Sequence, residues 1–106
     1  MLKPEYRPRA AYDIESIVFY LGYVLGSPRA AESWYADFKQ AIERLCAFPE
    51  LGRVFEDDRL DTAARRTYLV GSYRLFYSQH EEKLAVWRVL HTAQDIDDYA
   101  VLDCEP

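Results

Sequence analysis

Arg66-Thr67-Tyr68-Leu69-Val70-Gly71-Ser72-Tyr73-Arg74-Leu75-Phe76-Tyr77-Ser78 is the stretch on which the fold turns. Two runs rich in β-branched and aromatic residues flank Gly71-Ser72. Glycine supplies the positive φ that a two-residue type II′ turn requires. The spacing therefore predicts strands over Arg66–Val70 and Tyr73–Ser78. In the second strand Leu75 and Tyr77 share one face, and Arg74 and Phe76 share the other. A polar hairpin is expected over Gln79–Lys83, and a third strand over Leu84–Leu90. The two-residue period puts Leu84, Val86, Arg88 and Leu90 on one face. Ala85, Trp87, Val89 and His91 take the opposite one.

Upstream the period changes. Ile14, Ile17, Val18, Leu21, Val24 and Leu25 form one helical stripe within roughly Arg9–Leu25. Asp13 and Glu15 lie near its start, where the helix dipole favours acids. Gly26 is a natural stop. Ser27-Pro28 opens a second helix, with serine as N-cap and proline at the first helical position. Its stripe is Trp34, Phe38, Ala41, Ile42, Leu45 and Cys46, and Pro49 ends it. A short connection makes the two helices an antiparallel hairpin. Residues 2–8, holding Pro4 and Pro8, read as a short edge strand. Pro49-Glu50-Leu51-Gly52-Arg53 reads as a turn, and Glu56–Asp61 as a charged loop. A short helical turn is expected at Ile96-Asp97-Asp98-Tyr99. The expected fold is a two-layer α+β domain: a short N-terminal strand and a helix hairpin packed on an antiparallel sheet. The other sheet face is expected to take a partner, because its strands carry so many large apolar residues.

The chain has 106 residues, half of them apolar and 15% aromatic. That is one domain's worth, read as a single domain over 1–106 with an acidic tail at 95–106. Disorder is excluded by the aromatic content. No apolar run is long enough to span a membrane, and the first residues lack the apolar core of a signal peptide. A cytoplasmic location is expected. Two cysteines are too few for a disulfide framework. Cys46 reads as a core residue and Cys104 lies in the tail. No Cys/His spacing suggests a metal.

Net charge is −5. Residues 91–106 hold 5 acids and no base, whereas residues 62–80 hold Arg65, Arg66 and Arg74 and no acid. The whole chain lacks the basic footprint of a nucleic-acid binder. The arginine-rich stretch is either a site for phosphate or a partner's carboxylates, or a solvated sheet face.

Four segments in order resemble the RelE/ParE superfamily of type II toxin–antitoxin toxins, and its ParE branch more than its RelE branch. The first is Ala10-Ala11-Tyr12-Asp13-Ile14-Glu15-Ser16-Ile17. The second is Pro28-Arg29-Ala30-Ala31 followed by Ile42-Glu43-Arg44-Leu45. The third is Phe48-Pro49-Glu50-Leu51-Gly52-Arg53. The fourth is Tyr73-Arg74-Leu75-Phe76-Tyr77 with Val89-Leu90-His91 and Asp95. The resemblance implies a growth-arresting toxin, neutralised by a ParD-like antitoxin encoded alongside it. It implies DNA gyrase as target, with no cofactor, no metal and no sequence-specific nucleic-acid binding by the toxin alone.

The RelE branch cuts mRNA on the ribosome, which requires cations for the developing charge and groups to move protons. Here Arg74 matches that branch's strand arginine, and Arg65, His91 and Tyr99 are the remaining candidates. The position of a later arginine falls near Gln94, which is uncharged. ParE-type poisoning works by contact and needs no positioned acid and base. Its candidate target- or antitoxin-binding residues are Arg53, Arg66, Arg74, Trp87 and His91. Three of them have a structural alternative. Arg74 pairs an acid such as Asp95, His91 is a hydrogen-bonded strand-end residue, and Arg53 caps helix carbonyls. Trp34 is expected in the core.

Overall fold

A computed structural model describes residues 1–55 and 65–93 of the chain. The charged loop, the tail with its expected helical turn, Tyr99 and Cys104 lie outside the described residues. Strand β1 (Lys3–Tyr6) leads into helix α1 (Pro8–Phe19), which runs on as a π-helical turn over Tyr20–Val24. Helix α2 (Pro28–Ala47) and a 3₁₀ turn (Pro49–Leu51) follow. Then come β2 (Arg53–Phe55), β3 (Arg65–Val70), β4 (Tyr73–His80) and β5 (Lys83–His91). The five strands form one sheet in the order β1-β5-β4-β3-β2.

The expected antiparallel sheet is present, and the short N-terminal strand makes it mixed by joining its edge in parallel. β2 to β5 are an antiparallel series, but β1 lies parallel to β5, with Tyr6 beside Val86. Arg53, read as part of a turn, begins β2, which pairs with β3 from Arg53 beside Thr67 to Phe55 beside Arg65. The last hairpin is also tighter than expected. β4 reaches His80, which pairs directly with Lys83, and Glu81 takes a φ of 55° in the two-residue turn. Gly71 has a φ of 62°, as its turn requires.

Helix α2 behaves as its sequence dictates. The Ser27 hydroxyl accepts from the Ala30 N–H at 3.2 Å, Pro28 stands at the first position, and the run stops before Pro49. Ala31, Trp34, Phe38, Ala41, Ile42, Leu45 and Cys46 are its buried residues. They meet Leu75, Tyr77, Leu84, Val86 and Val89 of the sheet. Fully burying side chains such as Phe38 and Leu45 contributes about 1.5–3 kcal/mol each. The Trp34 indole N–H donates to the Val70 carbonyl at 3.0 Å, which ties α2 to the end of β3.

Helix α1 departs from its stripe at its end. The Leu25 N–H bonds back to the Tyr20 carbonyl, five residues away. That extra residue in the turn shifts the phase. Val24 and Leu25, expected in the core stripe, are 61% and 57% exposed.

β5 also breaks its own period. Phe76 pairs with Arg88 but Tyr77 pairs with Val86, so Trp87 is the extra residue of a β-bulge. Leu84 and Val86 face the helices as expected. Beyond the bulge the alternation resumes one residue out of step. Val89 joins the helix-side core, and Leu90 joins Trp87 on the outer face. Both had been expected on the reverse sides.

Candidate contact surfaces

Asp13 decides how the bulge is held. Its carboxylate accepts from Arg88 Nε at 2.7 Å, Arg88 Nη2 at 3.0 Å and the Val89 N–H at 3.0 Å. The pair is buried. Asp13 was read as a helix-dipole acid, but it pins α1 to β5 instead. A forked guanidinium on one carboxylate is the geometry that makes a buried ion pair tolerable.

The second anchor is Tyr77. Its hydroxyl donates to the Pro49 carbonyl at 2.7 Å and accepts from the Gly52 N–H at 2.9 Å. Burial pushes this phenol above its ordinary value, although the Gly52 hydrogen bond and Arg66 act the other way. A Cβ on Gly52 would overlap the Tyr77 hydroxyl and lie 2.7 Å from the Thr67 carbonyl, so glycine is required for close approach. Arg66 Nη1 donates to the Gly52 carbonyl at 2.8 Å and to that of Glu50 at 3.3 Å. Arg66 therefore holds the turn carbonyls, the task that had been considered for Arg53. Arg53 itself is exposed on β2.

The outer sheet face carries Phe55, Phe76, Ala85, Trp87 and Leu90. Among these Phe76, Ala85, Trp87 and Leu90 are buried within the chain. The expectation of a face open to a partner fails at its centre. Phe55 meets Phe76 edge-on at 5.5 Å, and the guanidiniums of Arg65 and Arg7 lie over the Trp87 ring at 4.4 and 5.0 Å. The Trp87 N–H donates to the Ser78 hydroxyl at 2.8 Å. Arg65 is 4% exposed, so it is no solvated surface arginine.

Arg74 shares the outer face, in line with Leu69 and Leu90, and is half-buried. Arg65 lies next to the register of Ser78, four residues along β4 from Arg74. That is about 13 Å at ~3.3 Å per residue. His91 pairs with Tyr73 on the helix side, 5.2 Å from its ring and edge-on. Trp87 and His91, expected on one face, are thus on opposite faces. His91 Nδ1 accepts the Ala93 N–H at 3.0 Å, so the neutral ring carries its hydrogen on Nε2. Arg65, Arg74 and His91 do not converge on one phosphate, and Tyr99 is outside the described residues. Among the described residues no group of three or more His, Cys, Asp or Glu side chains is placed to hold a metal ion.

Two grooves flank the hairpin. One, of about 960 Å³, lies between the hairpin and the β3–β4 turn, with Tyr20, Trp34, Tyr73 and His91 in its lining. Burial and the nearby Tyr20 raise the Tyr73 phenol, so it stays neutral. The other, of about 760 Å³, runs between α1 and α2 on the side away from the sheet. The helical stripes do not reveal this groove, whose lining includes Phe19, Tyr23 and Tyr35 from outside them.

Residues 5–96 match the family model described as the ParE toxin of type II toxin-antitoxin system, parDE. The chain belongs to the ParE toxin family. A solved structure titled "Chromosomal ParDE TA system from P. aeruginosa" shares the fold, with a TM-score of 0.65 and 18% identity. The alignment covers 86% of this chain and 96% of that one. No curated protein matches significantly. This ParE-family toxin has, among its described residues, no helix long and apolar enough to cross a membrane.

Proposed function

We propose that this ParE-family toxin arrests growth by poisoning DNA gyrase through contact, and that a ParD-like antitoxin encoded beside it neutralises it in the cytoplasm. The dispersal of Arg65, Arg74 and His91 carries this reading. Phosphodiester cleavage needs cation and proton-transfer groups within hydrogen-bond reach of one reacting centre. Here two of the three candidates are about 13 Å apart along a strand, and the third is on the opposite face of the sheet. His91 also spends its Nδ1 lone pair on a backbone N–H. A toxin acting by contact needs none of that convergence. Arg53 and Arg74, exposed and half-buried on the outer face, remain as contact residues, with His91 at the mouth of the helix–sheet groove.

The test is a cleavage assay with purified toxin, gyrase, ATP and supercoiled plasmid, denatured before electrophoresis. Linear DNA covalently joined to gyrase, lost when antitoxin is added back, is the expected result. Unchanged supercoiling with no trapped cleavage, together with mRNA cut on ribosomes by the same preparation, would overturn it.

A further inference from the structure

The outer sheet face is one-sided in charge. Glu5 is the one acid in any described strand. It lies on this face and is already engaged by Lys83 at 3.3 Å and Arg7 at 3.8 Å. Lys3 pairs in register with Lys83, which sets two exposed lysines side by side at one corner. Like charges on neighbouring strands repel each other, and an anion between them relieves that. Arg53 and Arg74 hold the far corner, Arg53 beside Thr67 and Arg74 beside Leu69. On α2, by contrast, exposed Glu32, Asp37 and Glu43 are interspersed with Arg29, Lys39 and Arg44. The net charge of −5 therefore hides a cationic sheet face.

We infer that this face lies along the sugar–phosphate backbone of duplex DNA, in the segment that gyrase holds while it is poisoned. The inference rests on the gyrase reading and adds that the toxin touches the DNA as well as the enzyme. Three physical points select the occupant. The apolar centre of the face is closed: Phe76, Ala85, Trp87 and Leu90 are buried, and the guanidiniums of Arg7 and Arg65 cover the Trp87 ring. A protein partner binds through aromatic or aliphatic anchors in an interface core from which lysine is depleted. Leu69 is the one large aliphatic side chain left exposed on this face among the described residues. A phosphate backbone asks only for cations, which the two corners supply. The second point is span. His80, beside Lys83, and Arg74 are six residues apart on β4, about 20 Å at ~3.3 Å per residue. Duplex DNA carries about one negative charge per 1.7 Å of axis, so its phosphates meet both corners at once, whereas a small anion reaches only one. The third point is strength. A few phosphate contacts carry no sequence information and bind free DNA weakly. Gyrase, by fixing the DNA beside the toxin, raises its effective concentration and makes the weak contact count.

The experiment uses full-length toxin and a fluorescein-labelled duplex of random sequence, read by anisotropy over a salt series, alongside the gyrase cleavage assay. Variants are the pairs Lys3→Gln/Lys83→Gln and Arg53→Gln/Arg74→Gln, with Arg29→Gln/Lys39→Gln on α2 as a control that removes the same charge. An unchanged urea midpoint verifies the folding of each. Wild-type toxin is expected to bind the duplex at low salt and to lose it steeply as salt rises. Each sheet-face pair should weaken binding about tenfold and make the slope of log affinity against log salt shallower by about 2, while the control stays within about twofold of wild type. The sheet-face pairs should also need about tenfold more toxin to trap cleaved DNA on gyrase. Wild-type toxin that binds no duplex at low salt overturns the inference, as does a single-stranded RNA that competes better than unlabelled duplex. Sheet-face variants that lose affinity for DNA-free gyrase but keep the duplex assign the face to the enzyme and overturn it as well. If all variants trap cleavage equally, the DNA contact is wrong while the gyrase reading stands. If wild-type toxin traps no cleavage, the gyrase reading fails, and the duplex titration alone decides the face.

Discussion

Trp34 and Tyr35 are neighbours in sequence on opposite sides of α2, one in the core and the other in the open groove. The sheet-facing side of the hairpin holds Ile17, Trp34, Phe38 and Leu45, all buried. The far side holds Phe19, Tyr23 and Tyr35, which are as large and yet open to solvent. Size does not separate the two sides. What separates them is whether polar groups behind the apolar surface hold it in register. On the sheet side Asp13 grips the bulge, Trp34 donates to Val70, and Tyr77 bridges Pro49 and Gly52. No such bond crosses the far side among the described residues. Residues that hold the fold and residues free to contact a partner thus sit a few ångströms apart on one pair of helices.

Four substitutions test that division, beginning with the most costly. Asp13→Ala removes the bidentate carboxylate partner of the buried Arg88 and the acceptor of the Val89 N–H, and is expected to lower stability by about 3–5 kcal/mol. Urea unfolding measures it, and a loss under 1 kcal/mol would mean that the pin is dispensable. Gly52→Ala forces its Cβ against the Tyr77 hydroxyl and the Thr67 carbonyl, for an expected loss of about 1–3 kcal/mol. Tyr77→Phe removes two hydrogen bonds and should cost about 1 kcal/mol at neutral pH.

The same variant sharpens the comparison at alkaline pH. The folded Tyr77 phenol titrates above the unfolded value of 10.0, because burial disfavours its anion. Its contribution is therefore complete below pH 10 and is lost as pH rises through the folded value. Stability above pH 10 should fall less steeply for Tyr77→Phe than for the parent chain. Equal slopes would show that this phenol does not report the anchor. The smallest effect is expected on the open side. Tyr35→Ala should change stability by no more than about 0.5 kcal/mol, within the range of surface substitutions. A loss comparable to that of Gly52→Ala would erase the distinction between the two sides.

Much of the fold was legible, and the failures have local causes. The helix hairpin follows from the stripes and from Ser27-Pro28. The β3–β4 hairpin follows from Gly71. β2 was missed because three residues are too few to show a period. The faces of β5 were read straight through Trp87, where the bulge inserts an unpaired residue and reverses every position after it. The end of α1 was phased as an α-helix through a π turn that no residue announces. These errors fed directly into the site. Arg65, Arg74 and His91 were chosen as residue types, but their faces depend on register, and His91 lies beyond the bulge. Asp13 and Gly52 belong to the very segments that carried the family resemblance, and both prove to be anchors of the fold. The residues that made the family readable are thus silent on its target.

Both edges of the sheet are brief. β1 is four residues long and contains Pro4, and β2 is three residues long and begins with Arg53. Such edges offer little template for stray pairing, since a proline lacks the N–H and a charge resists burial. The longest strands, β4 and β5, are interior. A chain built this way is fitted to spend time without company. Stripped of a binding partner, its described residues expose an aromatic helix surface but no long ribbon of unpaired backbone. Its expected route to precipitation is weak side-chain stickiness, which dilution reverses, rather than the irreversible growth of strand upon strand.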